Sequence, residues 1–335
     1  MEKNIIDRKL QGEFVSNFLR QIKFSRNDFK TINPLGGFTS LIDLGNFAIS
    51  FNNDGVGTKA IVAEETGNFS NIGVDCVAMN VNDAITVGAE PIAMLDYISL
   101  KNTDIETSKQ LGTGFNVAAQ IANINIVGGE TAIMPDMVKY TDISASVLGI
   151  IQKDQIVTGG NIKNGDSIFA LKSSGLHSNG YTTVRKIISD SGLSYGDKFP
   201  GDNKTVADVL LEPTRIYVRE ILDVLSIIKV KGMANITGGG IKNITRMKDM
   251  KYVIDNPFEP DNVFNKMIEL GKLSYSEAFE IFNMGMGYIV VIDPADKRDF
   301  LNITKNRINT REIGHVEDGT GIFIPGYSVE MHGYY

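Results

Sequence analysis

Apolar and polar positions alternate in two rhythms along this chain, and the changes of rhythm mark its elements. After a polar stretch with a short helix around residues 12–22, residues 46–52 (Asn-Phe-Ala-Ile-Ser-Phe-Asn) alternate with a period of two, as a strand with one covered face does. Residues 72–87 shift to helical spacing and stop at Gly88, and Pro91 opens a strand over 91–100. A second helix follows, with Thr103-x-x-Glu106 read as its capping box and Ile105, Leu111, Phe115, Ala118 and Ala122 as its covered side. Strands over 125–127 and 143–151 complete this half.

A polar, glycine-rich stretch at 155–165 marks a boundary. Beyond it the pattern predicts a strand over 167–172, a helix over 181–191 ended by Gly192, and a long helix over 214–228. A strand running to Thr237, two short helices and a strand over 288–293 follow. Strands and helices alternate in both halves. The expected fold is therefore α/β with mixed sheets, divided into an arm (1–35), an N-terminal domain (36–160) and a C-terminal domain (161–335).

Composition narrows the class. Of 335 residues, 42% are hydrophobic and 22% charged, which excludes a disordered chain, and no apolar run is long enough to cross a bilayer. The first residues are charged and lack an apolar signal region, so a cytoplasmic protein is expected. Lys plus Arg number 33 against 40 Asp plus Glu, with no basic run and no Trp, so nucleic acid is not an expected partner. A single cysteine, Cys76, and three scattered histidines provide neither a disulfide framework nor metal-ligand spacing. The 34 glycines cluster between apolar runs, where loops approach something closely.

Five constellations carry candidate chemistry. Helix 72–87 sets Val74, Val77, Ala78, Val81, Ala84 and Ile85 on one arc and Asp75, Asn82 and Asp83 on the other. A solvated polar face accounts for such an arc, but an exposed face favours Lys, Glu or Gln over Asn and Asp. Short carboxylates and amides grouped this way suit Mg2+. Asp54-Gly55-Val56-Gly57-Thr58-Lys59 follows a strand directly. Its glycines can turn N–H groups toward a phosphate, with Lys59 as a point charge and Asp54 as a metal ligand, or it is a tight turn ending in a surface lysine. The spacing is neither a P-loop nor a dinucleotide fingerprint.

Gly128-Gly129-Glu130-Thr131 offers a third carboxylate at a strand end, or an exposed glutamate in a glycine turn. The loop Ser173-Ser174-Gly175-Leu176-His177-Ser178-Asn179-Gly180 places hydroxyls and N–H groups at a helix start, with His177 as an acid/base group or a cap. Thr237-Gly238-Gly239-Gly240 is a second anion loop or an αL turn. Cys76, at the edge of the core arc, reads as a buried structural thiol, and Asn283 as part of a turn.

These motifs stand in the order of one family. With Leu35-Gly-Gly-Phe38, Gly88-Ala-Glu-Pro91, Met134-Pro135, Leu211-Glu-Pro-Thr-Arg-Ile-Tyr217 and Phe282-Asn-Met-Gly-Met-Gly287, they resemble the aminoimidazole ribonucleotide synthetase (phosphoribosylformylglycinamidine cyclo-ligase) family from about residue 35 to 315. The resemblance implies a homodimer whose N-terminal sheets join in a barrel, and ATP and Mg2+ as cofactors. It also implies a reaction in which the amide oxygen of formylglycinamidine ribonucleotide is phosphorylated and a neighbouring amine closes the imidazole ring. By the same resemblance Asp54, Asp83 and Glu130 hold Mg2+. Gly55, Gly57, Thr58, Lys59, Asp75, Asn82, Gly128, Gly129 and the two loops meet ATP or the substrate phosphate, and His177, Lys59 and Asp83 take part in catalysis.

Two departures stand out: Met1–Phe29 lacks the family's Tyr-Lys-Asp-Ala-Gly-Val-Asp stretch, and Ile241-Lys-Asn-Ile-Thr-Arg246 lacks a Glu, with Lys242 as a substitute phosphate ligand. Among related ATP users, a thiamine-monophosphate kinase would show Ser-Asp at 82–83 and Gly-Gly-Asp at 128–130. Selenophosphate synthetase would need a reactive cysteine near the start. A nucleotide-binding regulator without turnover is the remaining alternative.

Overall fold

The structure, a computed structural model, describes residues 8–32 and 38–333, so the Leu35-Gly36-Gly37 motif lies outside the described residues. Helix α1 (Arg8–Gln21) leads into a five-stranded sheet. Its strands are β1 (Ser40–Asp43), β2 (Phe47–Gly55), β3 (Glu90–Leu100), β4 (Asn125–Ile133) and β5 (Asp142–Gln152), in the order β1-β2-β5-β3-β4. All neighbours are antiparallel except β3 and β4, whose parallel pairing needs a crossover, here the helix α4 (Ile105–Ala122). Alternation in β5 assigns the faces: Ile143, Ala145, Val147 and Ile151 are buried, while Ser144, Ser146, Leu148 and Ile150 are half-exposed.

Helix α2 (Lys59–Thr66) follows β2, and α3 (Ile72–Ala84) lies across the buried face of β2 and β5. Helices α3 and α4 cross at two glycines. A side chain at Gly73 would stand 2.6 Å from the Leu111 carbonyl, and one at Gly114 2.7 Å from the Ser70 carbonyl. The cap of α4 differs from expectation. Asp104, not Thr103, accepts the Thr107 N–H at 2.7 Å, and Ile105 falls in the exposed first turn.

The second half builds a seven-stranded sheet. Its strands are β6 (Ser167–Lys172), β7 (Gly232–Asn235), β8 (Lys251–Ile254), β9 (Met286–Ile292), β10 (Thr310–Glu317), β11 (Gly321–Ile324) and β12 (Val329–Met331), ordered β12-β11-β8-β10-β6-β9-β7. β9, between β6 and the edge strand β7, is buried at every position, as its unbroken apolar run requires when both faces are covered. Helices α5 (Tyr181–Asp190), α6 (Val206–Leu210), α7 (Val218–Leu225), α8 (Asn262–Gly271), α9 (Tyr275–Ile281) and α10 (Lys297–Thr304) surround it. One hydrophobic core runs without interruption from α3 and β5 into β6 and β9.

Two expectations change. The helix expected over 214–228 begins only at Val218, because residues 211–217 lie against α3 and give it their backbone groups. Gly128-Gly129-Glu130-Thr131 lies inside β4, not at a strand end, because β4 continues in register with β3 as far as Ile133.

The glycine crossing is testable by thermal unfolding. Gly73→Ala or Gly114→Ala forces two backbones apart and should lower stability by about 1–3 kcal/mol. Gly112→Ala, in α4 with nothing within 4 Å, should raise it by about 0.5–1 kcal/mol.

Candidate active site

The polar arc of α3 faces protein, not water. Asp75 and Asn82 are fully buried, and Asp83 is largely so. Lys59 Nζ lies 2.9 Å from Asp75 Oδ1 and 2.8 Å from Oδ2, and donates to the Glu212 carbonyl at 2.6 Å. Asp75 Oδ1 also accepts the Thr214 N–H (2.7 Å) and hydroxyl (2.6 Å). Asn82 donates to the Arg215 carbonyl (2.8 Å) and accepts the Tyr217 N–H (3.0 Å), and Asn71 donates to the Leu211 carbonyl (3.0 Å). An extended segment thus finds its hydrogen-bond partners in helical side chains, and the two halves are joined along this line.

One end of that seam gathers the candidate chemistry. Asn80 clasps β2: its Oδ1 accepts the Asp54 N–H (2.9 Å) and its Nδ2 donates to the Asp54 carbonyl (3.0 Å). Asp54 is half-buried, and burial holds its carboxyl above the usual range against the 2.7 Å bond from the Gly55 N–H. Asp83 is raised further, to about 7, by burial and by the Asp54 charge. Asn235 at the end of β7 donates to Asp83 Oδ1 at 2.8 Å, and the Arg246 charge opposes both upward shifts. A pair of buried carboxyls, one of them disfavoured by the other's charge, beside a glycine turn fits Mg2+, which commonly takes one or two protein carboxylates and completes its shell with water and phosphate oxygens. Among the described residues no group of three His, Cys, Asp or Glu side chains is placed to hold a metal.

Glycine loops border this pair. Gly238 lies against the Asn179 side chain, and Gly239 and Gly240 adopt positive φ (100° and 58°) at the start of a 3-10 turn, Gly240–Arg246. A side chain at Gly240 would collide with the Phe279 carbonyl, so this turn is restricted to glycine on two counts. Across the seam, Gly57 is exposed with a φ of 66°, and Thr58 meets Thr182 at 3.1 Å.

Other expected site residues lie elsewhere. Lys59 does not face a phosphate. It is buried in its ion pair, where desolvation lowers its pKa and the Asp75 charge opposes that shift. Glu130 does not join Asp54 and Asp83. Register puts it in a row with Tyr97, Ser144 and Gly55, on the sheet face opposite Asp54, and β5 and β3 separate β4 from β2, a span of roughly 14 Å. Gly128 and Gly129 share that edge strand.

His177 is buried with φ 61°, and its pKa is pushed down to about 3 by burial and by the Lys59 and Arg215 charges. As a neutral ring it accepts the Ser174 N–H at Nε2 (3.3 Å), which shapes the loop and leaves its one ring proton on Nδ1. Ser174 and Ser178 spend their hydroxyls on the Pro213 carbonyl (2.6 Å) and Thr214 (2.9 Å), Ser173 is buried, and Gly175 is held through its carbonyl by Asn283 (2.9 Å). Lys242 pairs with Glu280 at 3.0 Å, and Cys76 is buried as expected. Asn80, Asn235 and Arg246 were not singled out by sequence. Only a second short amide on α3, beside Asn82, hinted at the first.

Residues 39–151 match the N-terminal domain of AIR synthase related protein, and residues 163–325 match its C-terminal domain. The phosphoribosylformylglycinamidine cyclo-ligase of Thermoplasma volcanium is 65% identical over 335 residues, covering 100% of this chain and 99% of that protein. The chain belongs to the phosphoribosylformylglycinamidine cyclo-ligase family. A more distant cyclo-ligase, from Methanocaldococcus jannaschii, is 42% identical and covers 93% of the chain and 91% of its own length. Among solved structures, thiamine-monophosphate kinase from Stenotrophomonas maltophilia superposes with a TM-score of 0.65 at 16% identity, covering 93% of this chain and 96% of that one. The hydrogenase maturation protein HypE of E. coli gives 0.62 at 17%, covering 96% of each. At such identities they show the fold that the cyclo-ligase family shares with them.

Two outcomes follow from the buried charges. Lys59→Met strands the Asp75 carboxylate and should destabilise the protein by about 3–5 kcal/mol in denaturant titration, a folding defect in place of a selective loss of activity. Asp83 keeps its proton up to about pH 7 when folded but releases it near 3.8 when unfolded, so between those values it makes stability fall as pH rises. The Tm of Asp83→Asn, measured without divalent cations, should accordingly exceed that of the parent by a margin that widens from pH 4 to pH 7.

Proposed function

We propose that the chain catalyses the ATP-dependent cyclisation of formylglycinamidine ribonucleotide to 5-aminoimidazole ribonucleotide, releasing ADP and phosphate, in purine biosynthesis. Full-length identity to curated cyclo-ligases carries this reading, and the Asp54/Asp83 pair at a glycine-lined seam supports it. The formyl oxygen is a poor leaving group. Transfer of the γ-phosphoryl group to it creates an O-phosphorylated imidate, the neighbouring amine attacks that carbon and loses a proton, and the C–O bond breaks with phosphate departing. Catalysis here is positioning and charge neutralisation. Bound Mg2+ would neutralise charge on the phosphate oxygens. For that, Asp54 and Asp83 must both be ionised, Asn80 and Asn235 hold them in place, and the N–H groups at Gly57 and Gly239 lie within reach of phosphate.

We assign nucleotide and metal binding to residues 36–160 and the substrate phosphate to loops of 161–335, so that the reacting groups meet where the halves join. The chain also works as a homodimer. Phe47, Phe51, Leu95 and Tyr97 expose an apolar stripe on the sheet face away from α3, more than an isolated chain keeps in water. No helix among the described residues is long and apolar enough to cross a membrane, which agrees with a reaction between dissolved metabolites.

The direct test is ADP release with Mg2+, with and without formylglycinamidine ribonucleotide, alongside a colour assay for aminoimidazole. Equal amounts of both products, each requiring substrate, are expected. Asp54→Asn and Asp83→Asn should each reduce kcat by at least about 100-fold with folding intact. ADP release that requires thiamine monophosphate would assign the kinase activity instead. Phe51→Glu should shift the protein from dimer to monomer in sedimentation velocity.

A further inference from the structure

The arm and a cleft at the far edge of the first sheet are left without a role by the proposed reaction. On α1, Phe14, Phe18 and Ile22 recur every fourth residue with Val15 beside them, forming one apolar arc. All four are exposed, Phe14 at 70% and Phe18 at 59%. Residues 8–30 carry six Lys and Arg against two Asp and Glu, so this arm is basic on an otherwise acidic chain.

The cleft has the opposite character. It encloses about 860 Å³ between α4 and strands β3–β4, with Ile98, Leu111, Phe115 and Ile126 among its lining. Glu90, Asp96 and Asp104 also line it, and no Lys or Arg does. Its long wall is α4, of 18 residues and about 27 Å, against about 21 Å for the 14 residues of α1. Apolar surface, charge and length therefore match between helix and groove.

We propose that α1 of one copy docks in the α4–β3–β4 cleft of a second copy. The arm does not occupy its own cleft, whose lining includes none of its residues. Residues 30–32 are fastened beside β1 by the Ile32 N–H to the Leu41 carbonyl (3.0 Å) and the Asp43 N–H to the Lys30 carbonyl (2.8 Å). The cleft opens at β4, the opposite edge, beyond β2, β5 and β3, and α3 occupies the face between. A two-fold axis parallel to the strands, relating two sheets face to face, brings the β1 edge of one over the β4 edge of the other. Because the cleft lies on the helix-covered face, the arm passes round the β4 edge to enter it, and the docking does not require the sheet-face dimer.

Cysteine cross-linking tests this, because the native Cys76 is buried. Two differently tagged full-length chains, one Phe18→Cys and one Asn116→Cys, are co-expressed and mildly oxidised. The expected result is a disulfide between the two tags at least 10-fold more abundant than with Glu330→Cys as partner, and its loss when Phe14→Glu is added to the arm. Dimers by sedimentation without that disulfide would overturn the docking while leaving the sheet-face dimer standing. A monomer at every concentration would overturn both. A disulfide formed only within a doubly substituted single chain would overturn exchange, and binding of α1 to vesicles of anionic lipid, abolished by Phe14→Glu with no cross-link between chains, would reassign the arm to a membrane surface.

Discussion

Every other feature of this molecule leans on the burial of α3 on two sides. Its apolar side covers β2 and β5, while its polar side meets residues 211–217 of the second half. A helix in that position must carry side chains that satisfy a strand-like backbone, since an extended segment cannot satisfy itself. Asp75 and Asn82 do this, and Lys59 neutralises the charge that Asp75 brings into the interior. Buried ion pairs of this type contribute little net stability over apolar replacements, but they strongly penalise misalignment, because a displaced partner leaves a bare charge. The relative placement of the halves is thereby held to hydrogen-bond tolerance, which a site shared between them requires.

The same helix carries a carboxyl whose charged form is strongly disfavoured. Asp83 lies one residue beyond Asn82, where the seam opens toward Asp54 and the triple-glycine turn. Burial and the Asp54 charge make its ionised form unfavourable, a penalty that the proposed divalent cation would relieve. Asn80 fixes the backbone that carries Asp54 and Asn235 orients the Asp83 carboxylate, and as amides neither neutralises the charge.

Much of this was legible in the sequence, for reasons that differ by element. Period-two alternation located β2, because a strand's faces impose their pattern locally, and strands were also expected where β5 and β9 lie. The preference for Asn and Asp on α3 flagged a polar face that is not solvent-exposed. What α3 met could not be read, because its partner lies about 140 residues away and loses its helical pattern in meeting it. Lys59 shows the limit most plainly: a lysine closing a glycine turn has the same local signature whether it points to phosphate or into a core. Glu130 fails for another reason, since one step of strand register decides which face of the sheet a carboxylate serves.

The sequence by itself determined the class of fold, many of its elements, the family, and two carboxylates, Asp54 and Asp83, that meet at the seam. Those properties depend on residue type and short-range spacing, both of which a linear chain carries explicitly. Tertiary structure alone decided that Lys59 braces Asp75, that His177 stays neutral and shapes a loop, that Glu130 faces away, and that Asn80, Asn235 and Arg246 surround the acidic pair. Each of those outcomes depends on which low-dielectric surroundings and which distant partner a charged or polar group acquires, and these exist only once the two halves have closed on one another.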